Sequence, residues 1–172
     1  MSAETARTEG RPDPDLVALL PHEPPMVLID RVLSFDEQHF ETEVVIDADT
    51  PFAEADGVPG WVGIEYMAQT VAAKAGAQAR EQGLPPTVGF LLGTRSYRSD
   101  ISRFPLGSRL RVVVEPLFIE GSLAAVSCHI FLSPTDPDAA ETGGTEVAAA
   151  IINTFQPPRD GLDEFLQRGA SS

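Results

Sequence analysis

One cysteine, three histidines and twelve lysines plus arginines are all that this 172-residue chain offers for disulfides, metal sites and polyanion binding. Cys128 alone excludes an intrachain disulfide and fits a reducing, cytoplasmic setting. Three histidines and one cysteine fall at no metal-ligand spacing, so no metal site is expected. The 12 basic residues face 26 acidic ones, for a net charge of −14 and a pI of about 4.4. That balance argues against nucleic acid or anionic membrane as a primary partner, since both need a basic footprint. No apolar run reaches membrane-spanning length, and Met1–Pro14 shows no apolar signal core. A Gly-x-Ser-x-Gly nucleophile elbow and a dinucleotide fingerprint are both missing. There is no internal repeat.

What is present suits one globular domain: 42% hydrophobic and 22% charged residues over a length that can bury a sizeable core. Residues 1–14 read as a loose polar tail, 15–157 as the domain, and 158–172 as a second tail with a short helical pattern at Leu162–Gln167. Leu16–Leu20 suits a short helical turn stopped by Pro21. Met26–Phe35 is a predicted strand. Phe40–Asp47 alternates, with Phe40, Thr42, Val44 and Ile46 on one face, as a half-buried strand does. Gly60–Gln82 is a long helix rich in Ala and Gly, closed by Gly83 and Pro85-Pro86. Strand-like runs follow at Thr87–Arg98, Arg109–Phe118, Leu123–Leu132 and Glu146–Phe155, with an acidic insertion at Ser133–Thr145. Strands, one long helix, then strands make an α+β domain.

Pro59 fits the first turn of the long helix, where its missing N–H costs nothing. The first free N–H groups then lie at a positive helix end that suits a carbonyl oxygen or an anion. At about 100° per residue, Trp61, Ile64, Ala68, Val71, Ala72 and Ala75 share one apolar face, and Glu65 falls inside it. A carboxylate there is paired, protonated or functional, or else it reaches water at the edge of the stripe. His129 belongs to the outer face of its strand and His39 to a solvated turn. His22, between Pro21 and Pro24-Pro25, is either a buried imidazole bonding the backbone or a reactive one. Glu54 and Asp56 are solvated loop acids or approach Glu65. Arg95, Arg98, Arg103, Arg109 and Arg111 form a basic cluster, or the charged edge of a sheet.

Several segments resemble one family. Val58-Pro59-Gly60-Trp61-Val62-Gly63-Ile64-Glu65-Tyr66-Met67-Ala68-Gln69 is similar to the central helix of the hotdog-fold 3-hydroxyacyl-acyl-carrier-protein dehydratases, most of all the branch found in aryl-polyene pigment pathways. Leu20-Pro21-His22, leading to Asp30-Arg31-Val32, resembles the family's opening. Pro51-Phe52 and Pro105–Leu110 match two of its turns. The resemblance implies a hotdog fold, a long helix wrapped by a curved antiparallel sheet, in a homodimer at least, or paired with a related dehydratase subunit. It implies Glu65 as catalytic acid, the Gly60 N–H as oxyanion donor, and Trp61 and Gln69 as substrate contacts. Arg95, Arg98 and Arg103 would dock an acidic carrier protein, whose phosphopantetheine carries the substrate; no other cofactor is implied. The family's loop histidine is absent, because Phe52–Val58 is shorter and contains none. His22 would supply the base, or Glu65 would act alone, through water. A hotdog thioesterase and a non-catalytic partner of a complete dehydratase are the alternatives.

Overall fold

The computed structural model describes residues 11–133, 144–158 and 160. The tail residues 1–10 and 161–172, including the Leu162–Gln167 pattern, and most of the acidic insertion lie outside the described residues. Arg11–Pro14, expected in the loose tail, are instead part of the fold. Arg11 donates to both Asp30 carboxylate oxygens at 3.1 and 2.9 Å, and Asp30 Oδ2 also accepts from the Val45 N–H at 2.7 Å. Asp13 caps helix α1, Pro14–Val17, by accepting from the Asp15 N–H.

Six strands form one antiparallel sheet in the order β1-β2-β6-β7-β8-β4. They are β1 (Arg31–Phe35), β2 (Phe40–Val45), β4 (Phe90–Ser99), β6 (Arg109–Glu120), β7 (Leu123–Ser133) and β8 (Thr145–Phe155). β3 (Gly57–Pro59) and β5 (Arg103–Pro105) make a two-stranded ribbon. The alternation expected for β2 holds: Phe40, Thr42 and Val44 are buried while Glu41, Glu43 and Val45 face outward. The same period buries Val126, Cys128 and Ile130 on β7. Met26–Asp30, expected as strand, lies outside β1; the Leu28 N–H bonds a helix side chain instead.

One 3₁₀ turn, Gly60–Val62, leads into the 19-residue helix α2, Gly63–Glu81. Its end follows the Schellman pattern: the Gly83 N–H bonds Arg80 O and the Leu84 N–H bonds Ala79 O, with Gly83 at φ 69°. The face α2 turns to the sheet carries Tyr66, Met67, Thr70, Ala73 and Ala77, all buried. The Thr70 hydroxyl satisfies that of Thr42 across the core at 2.7 Å. The face expected in the core is a different one. Ile64, Ala68, Val71, Ala72 and Ala75 are only half-buried, and Trp61 is 63% exposed. Both stripes are apolar, and the sheet covers the one with the bulkier Tyr66 and Met67. Gly76 lets α2 approach the Leu16–Leu20 segment, since a Cβ there would collide with Leu19 O.

Candidate active site

Glu65 stands in the first turn of α2, half-buried. Gln69, one turn later, is fully buried. Its Nε2 donates to Glu65 Oε1 at 3.0 Å and to Met26 O at 2.8 Å, while its Oε1 accepts from the Leu28 N–H at 2.8 Å. The Leu28 donor fixes the amide orientation, so the NH₂ must face the two oxygens. One glutamine thus aims the carboxylate and ties the segment after Pro21 to the helix. This corrects Gln69 as a substrate contact: its side chain is sealed inside and its bonds are spent within the chain.

His22, four residues before Met26 in the tied segment, and Glu65 face one space. Both line a cavity of about 180 Å³, with Pro21, Ala68, Ala72 and Phe90 among its walls. His22 Nδ1 is buried and has no hydrogen-bond partner among the described residues. A wider cavity of about 480 Å³ shares Val71, Ala75, Thr87, Thr154 and Gln156 with the first and runs on to Ile119 and Leu123. Among the described residues its walls carry no histidine or carboxylate, whereas the smaller end of the groove carries both. Ala68, Val71, Ala72 and Ala75 of the half-buried stripe of α2 form its floor, while Ile64, Val71 and Ala72 also pack against the edge of the core.

Gly60 does not serve as expected. Its N–H donates to Ser102 O at 2.8 Å, so it is unavailable to an oxyanion. Its carbonyl accepts from the Tyr97 hydroxyl. A Cβ at Gly60 would stand 2.7 Å from Ile101 O, so close backbone packing requires the glycine. Burial pushes the pKa of the Tyr97 hydroxyl above its ordinary value, so it stays protonated and donates. Nothing local in the sequence marks Tyr97, 37 residues away on β4.

Trp61 lies outside the cavity walls. It is packed edge-on against Phe52, with ring centroids 6.0 Å apart, and Phe52 itself sits at φ 67°. Glu54 and Asp56 do not approach Glu65; they hold Arg103 at 2.6 and 3.0 Å. Arg98 is paired with Asp100 and with Glu146. Of the three expected docking arginines, Arg98 and Arg103 are therefore already matched by carboxylates, while Arg95 is exposed. His39, expected to be solvated, lies 2.7 Å from a Glu41 oxygen. His129 is on the outer face as expected, between Ser127 Oγ and Glu146 Oε2. No group of three or more His, Cys, Asp or Glu side chains among the described residues is arranged to hold a metal ion. None of the described helices is long and apolar enough to cross a membrane.

A helix wrapped by a curved antiparallel sheet, with an acid in its first turn above an apolar groove, defines a hotdog protein of the dehydratase type. Residues 14–167 match the model of the ApeP-like family, described as ApeP dehydratase, and the chain belongs to that family. It is 32% identical over 120 residues, 64% of this chain and 75% of the relative, to a 3-hydroxyacyl-acyl-carrier-protein dehydratase, FabZ, of Thermus thermophilus. The dehydratase heterocomplex ApeI:P from Xenorhabdus doucetiae contains a chain 28% identical, with a TM-score of 0.75 over 88% of this chain and 96% of that one. A hypothetical thioesterase from Streptococcus pneumoniae, solved with coenzyme A, shares the fold at 11% identity and a TM-score of 0.55, covering 74% and 84% of the two chains.

Proposed function

We propose that the protein removes water from 3-hydroxyacyl thioesters presented on the phosphopantetheine of an acyl-carrier protein, with Glu65 and His22 as the acid–base pair. The observation that carries this is Glu65, aimed by Gln69, in one apolar cavity with an imidazole whose Nδ1 is unclaimed. His22 takes the C2 proton, which the thioester carbonyl makes acidic. Charge moves onto the thioester oxygen at the positive start of the helix. The C2=C3 bond forms as the C3–O bond breaks, and protonated Glu65 gives its proton to the departing hydroxyl, which leaves as water. The imidazolium then returns a proton to the carboxylate, and the pair is reset.

A second hotdog subunit, identical or related, fits the uncovered parts of the chain. β4 is an edge strand with one unpaired side, and Leu91 and Leu92 on it are exposed at 47% and 59%. The solved neighbour of highest identity above is itself part of a two-protein dehydratase complex. Carrier-protein docking falls first to Arg95; Arg98 and Arg103 would have to exchange their own carboxylates for those of the carrier. A second reading, a non-catalytic partner of a complete dehydratase, is favoured by the loop at residues 53–58, which has no histidine and whose acids hold Arg103. The test is incubation with a 3-hydroxyacyl carrier protein, followed by mass spectrometry. Loss of 18 mass units of water by the wild type, abolished in Glu65→Gln and His22→Ala, supports the enzyme. Water loss only on adding a related subunit, unaffected by Glu65→Gln, supports the non-catalytic partner. Release of free acid would mark a thioesterase.

A further inference from the structure

Val126, Cys128 and Ile130 are buried on the face of β7 that packs toward α2. Ser127 and His129, two residues apart, therefore stand side by side on the opposite, outer face. There the imidazole is held at both nitrogens. Its Nδ1 lies 2.8 Å from Glu146 Oε2, supplied by β8, and its Nε2 lies 2.9 Å from Ser127 Oγ. A carboxylate only accepts, so the ring proton sits on Nδ1, and Nε2 is left to accept from the serine hydroxyl. The other Glu146 oxygen accepts from Arg98 at 2.6 Å, which fixes the carboxylate in turn. Ser127, His129 and Glu146 are all half-buried, so each keeps a side open to solvent. A hydroxyl on a base that a third group orients is the arrangement of an activated nucleophile. None of the three lines the groove that holds Glu65 and His22.

We propose that Ser127, His129 and Glu146 form a second site, at which Ser127 accepts acyl groups from activated, uncharged esters, thioesters above all. Ser127 Oγ attacks the acyl carbonyl while its proton passes to His129 Nε2. The C–S bond breaks, the leaving sulfur takes that proton from His129, and the thiol departs, leaving an ester on Ser127. Water, deprotonated by the same nitrogen, then cleaves the ester and frees the acid. Glu146 is the positioning residue, which holds the ring in the required tautomer and faces the charge it gains. The surroundings set the class of donor. β7 is paired on both sides, so its N–H groups are spent on the ladders with β6 and β8 rather than aimed at an oxyanion. Amides are therefore out of reach, and only esters with a good leaving group react. Exposed Glu115 stands opposite Ser127 on β6 and repels anionic acyl groups. Ala149 and Ile151 on β8, opposite His129 and Ser127, give a short apolar acyl chain a surface to lie on.

The test uses the whole chain and two probes, an alkyl fluorophosphonate and butyryl-pantetheine, read by intact-protein and peptide mass spectrometry. The wild type should take up one phosphonyl group, and transiently one butyryl group, on Ser127. Ser127→Ala should take up neither. His129→Gln should slow phosphonylation at least about a hundredfold, the low end of what a positioned base supplies. Glu146→Ala should slow it about tenfold, in step with a move of the ring proton from Nδ1 toward Nε2 in the nitrogen-edited NMR spectrum. A wild type labelled nowhere, or on a residue other than Ser127, overturns the site and needs no folded variant. So does labelling of Ser127 that is equally fast in His129→Gln. A tautomer shift in Glu146→Ala without loss of rate strips Glu146 of its role. Phosphonylation without butyrylation overturns thioesters as the donors.

Discussion

Replacing Gln69 by leucine tests whether one buried amide holds the site together. The substitution keeps the volume roughly constant and deletes three hydrogen bonds, to Leu28 N, Met26 O and Glu65 Oε1. The three losses are unequal. Met26 is 56% exposed, so its carbonyl regains water, and half-buried Glu65 can also reach solvent. Leu28 is buried, so its N–H is left without an acceptor. A stranded buried donor costs about 1–3 kcal/mol and each ordinary hydrogen bond about 1 kcal/mol net. The sum is about 3–5 kcal/mol of destabilisation, which the apolar side chain reduces to about 2–4 kcal/mol. For a domain of this size that is a fall in Tm of roughly 5–15 °C, at about 2–4 °C per kcal/mol. Calorimetry gives the first number and dehydration of a carrier-bound substrate, well below the new Tm, gives the second. Activity should drop by at least about tenfold at a temperature where the variant is fully folded, since a misplaced acid costs more than a weakened fold. A variant within about 0.5 kcal/mol of wild type, the range of an uninvolved surface site, would refute the account of Gln69 as the tie. So would one that is destabilised yet fully active.

Burial pushes the Cys128 thiol up to about 12 from an ordinary 9.0, so the unfolded chain loses its thiol proton first. Stability from this group is complete below pH 9 and drains away as pH rises toward 12, by about 1.4 kcal/mol at pH 10. In denaturant melts at pH 8 and 10, the wild type should lose about 1.4 kcal/mol more between the two than Cys128→Val does; parallel curves would remove the claim. Gly76→Ala gains helix propensity but drives a methyl into Leu19 O. It should therefore destabilise by about 1–3 kcal/mol, and a stabilised variant would show that the α1 segment yields freely. Leu92→Asp puts a charge on the free edge of β4. It should shift the protein toward monomer in sedimentation at fixed concentration, and an unchanged distribution would move the subunit contact elsewhere. Arg95→Glu should weaken carrier-protein binding most at low salt and leave turnover of a small pantetheine thioester unchanged. Equal losses on both substrates would place Arg95 in the fold or the site.

The residues that follow a local rule were legible in the chain itself. The period of two on β2 and β7, the Pro-Gly helix start, the Gly83 stop and the placement of Glu65 near the head of a long helix are properties of neighbours in sequence, and the fold obeys them. The motif pair at Leu20–Val32 and Val58–Gln69 carried the hotdog dehydratase assignment, because together those segments span both sides of the groove. What could not be read was which partner each polar group would take. Two apolar stripes run along α2, and only the assembled sheet selects the one with Tyr66 and Met67, leaving the other as the groove floor. Glu54 and Asp56 lie nearer Glu65 in sequence than Arg103 does, yet the β3–β5 pairing delivers Arg103 to them. The Gly60 N–H is lost to Ser102 O and its carbonyl to Tyr97, both far along the chain. Sequence periodicity sets which side a residue faces. Hydrogen bonds need their partners aligned within a few tenths of an ångström, and only the packed tertiary structure supplies that alignment for Gln69 and Gly60.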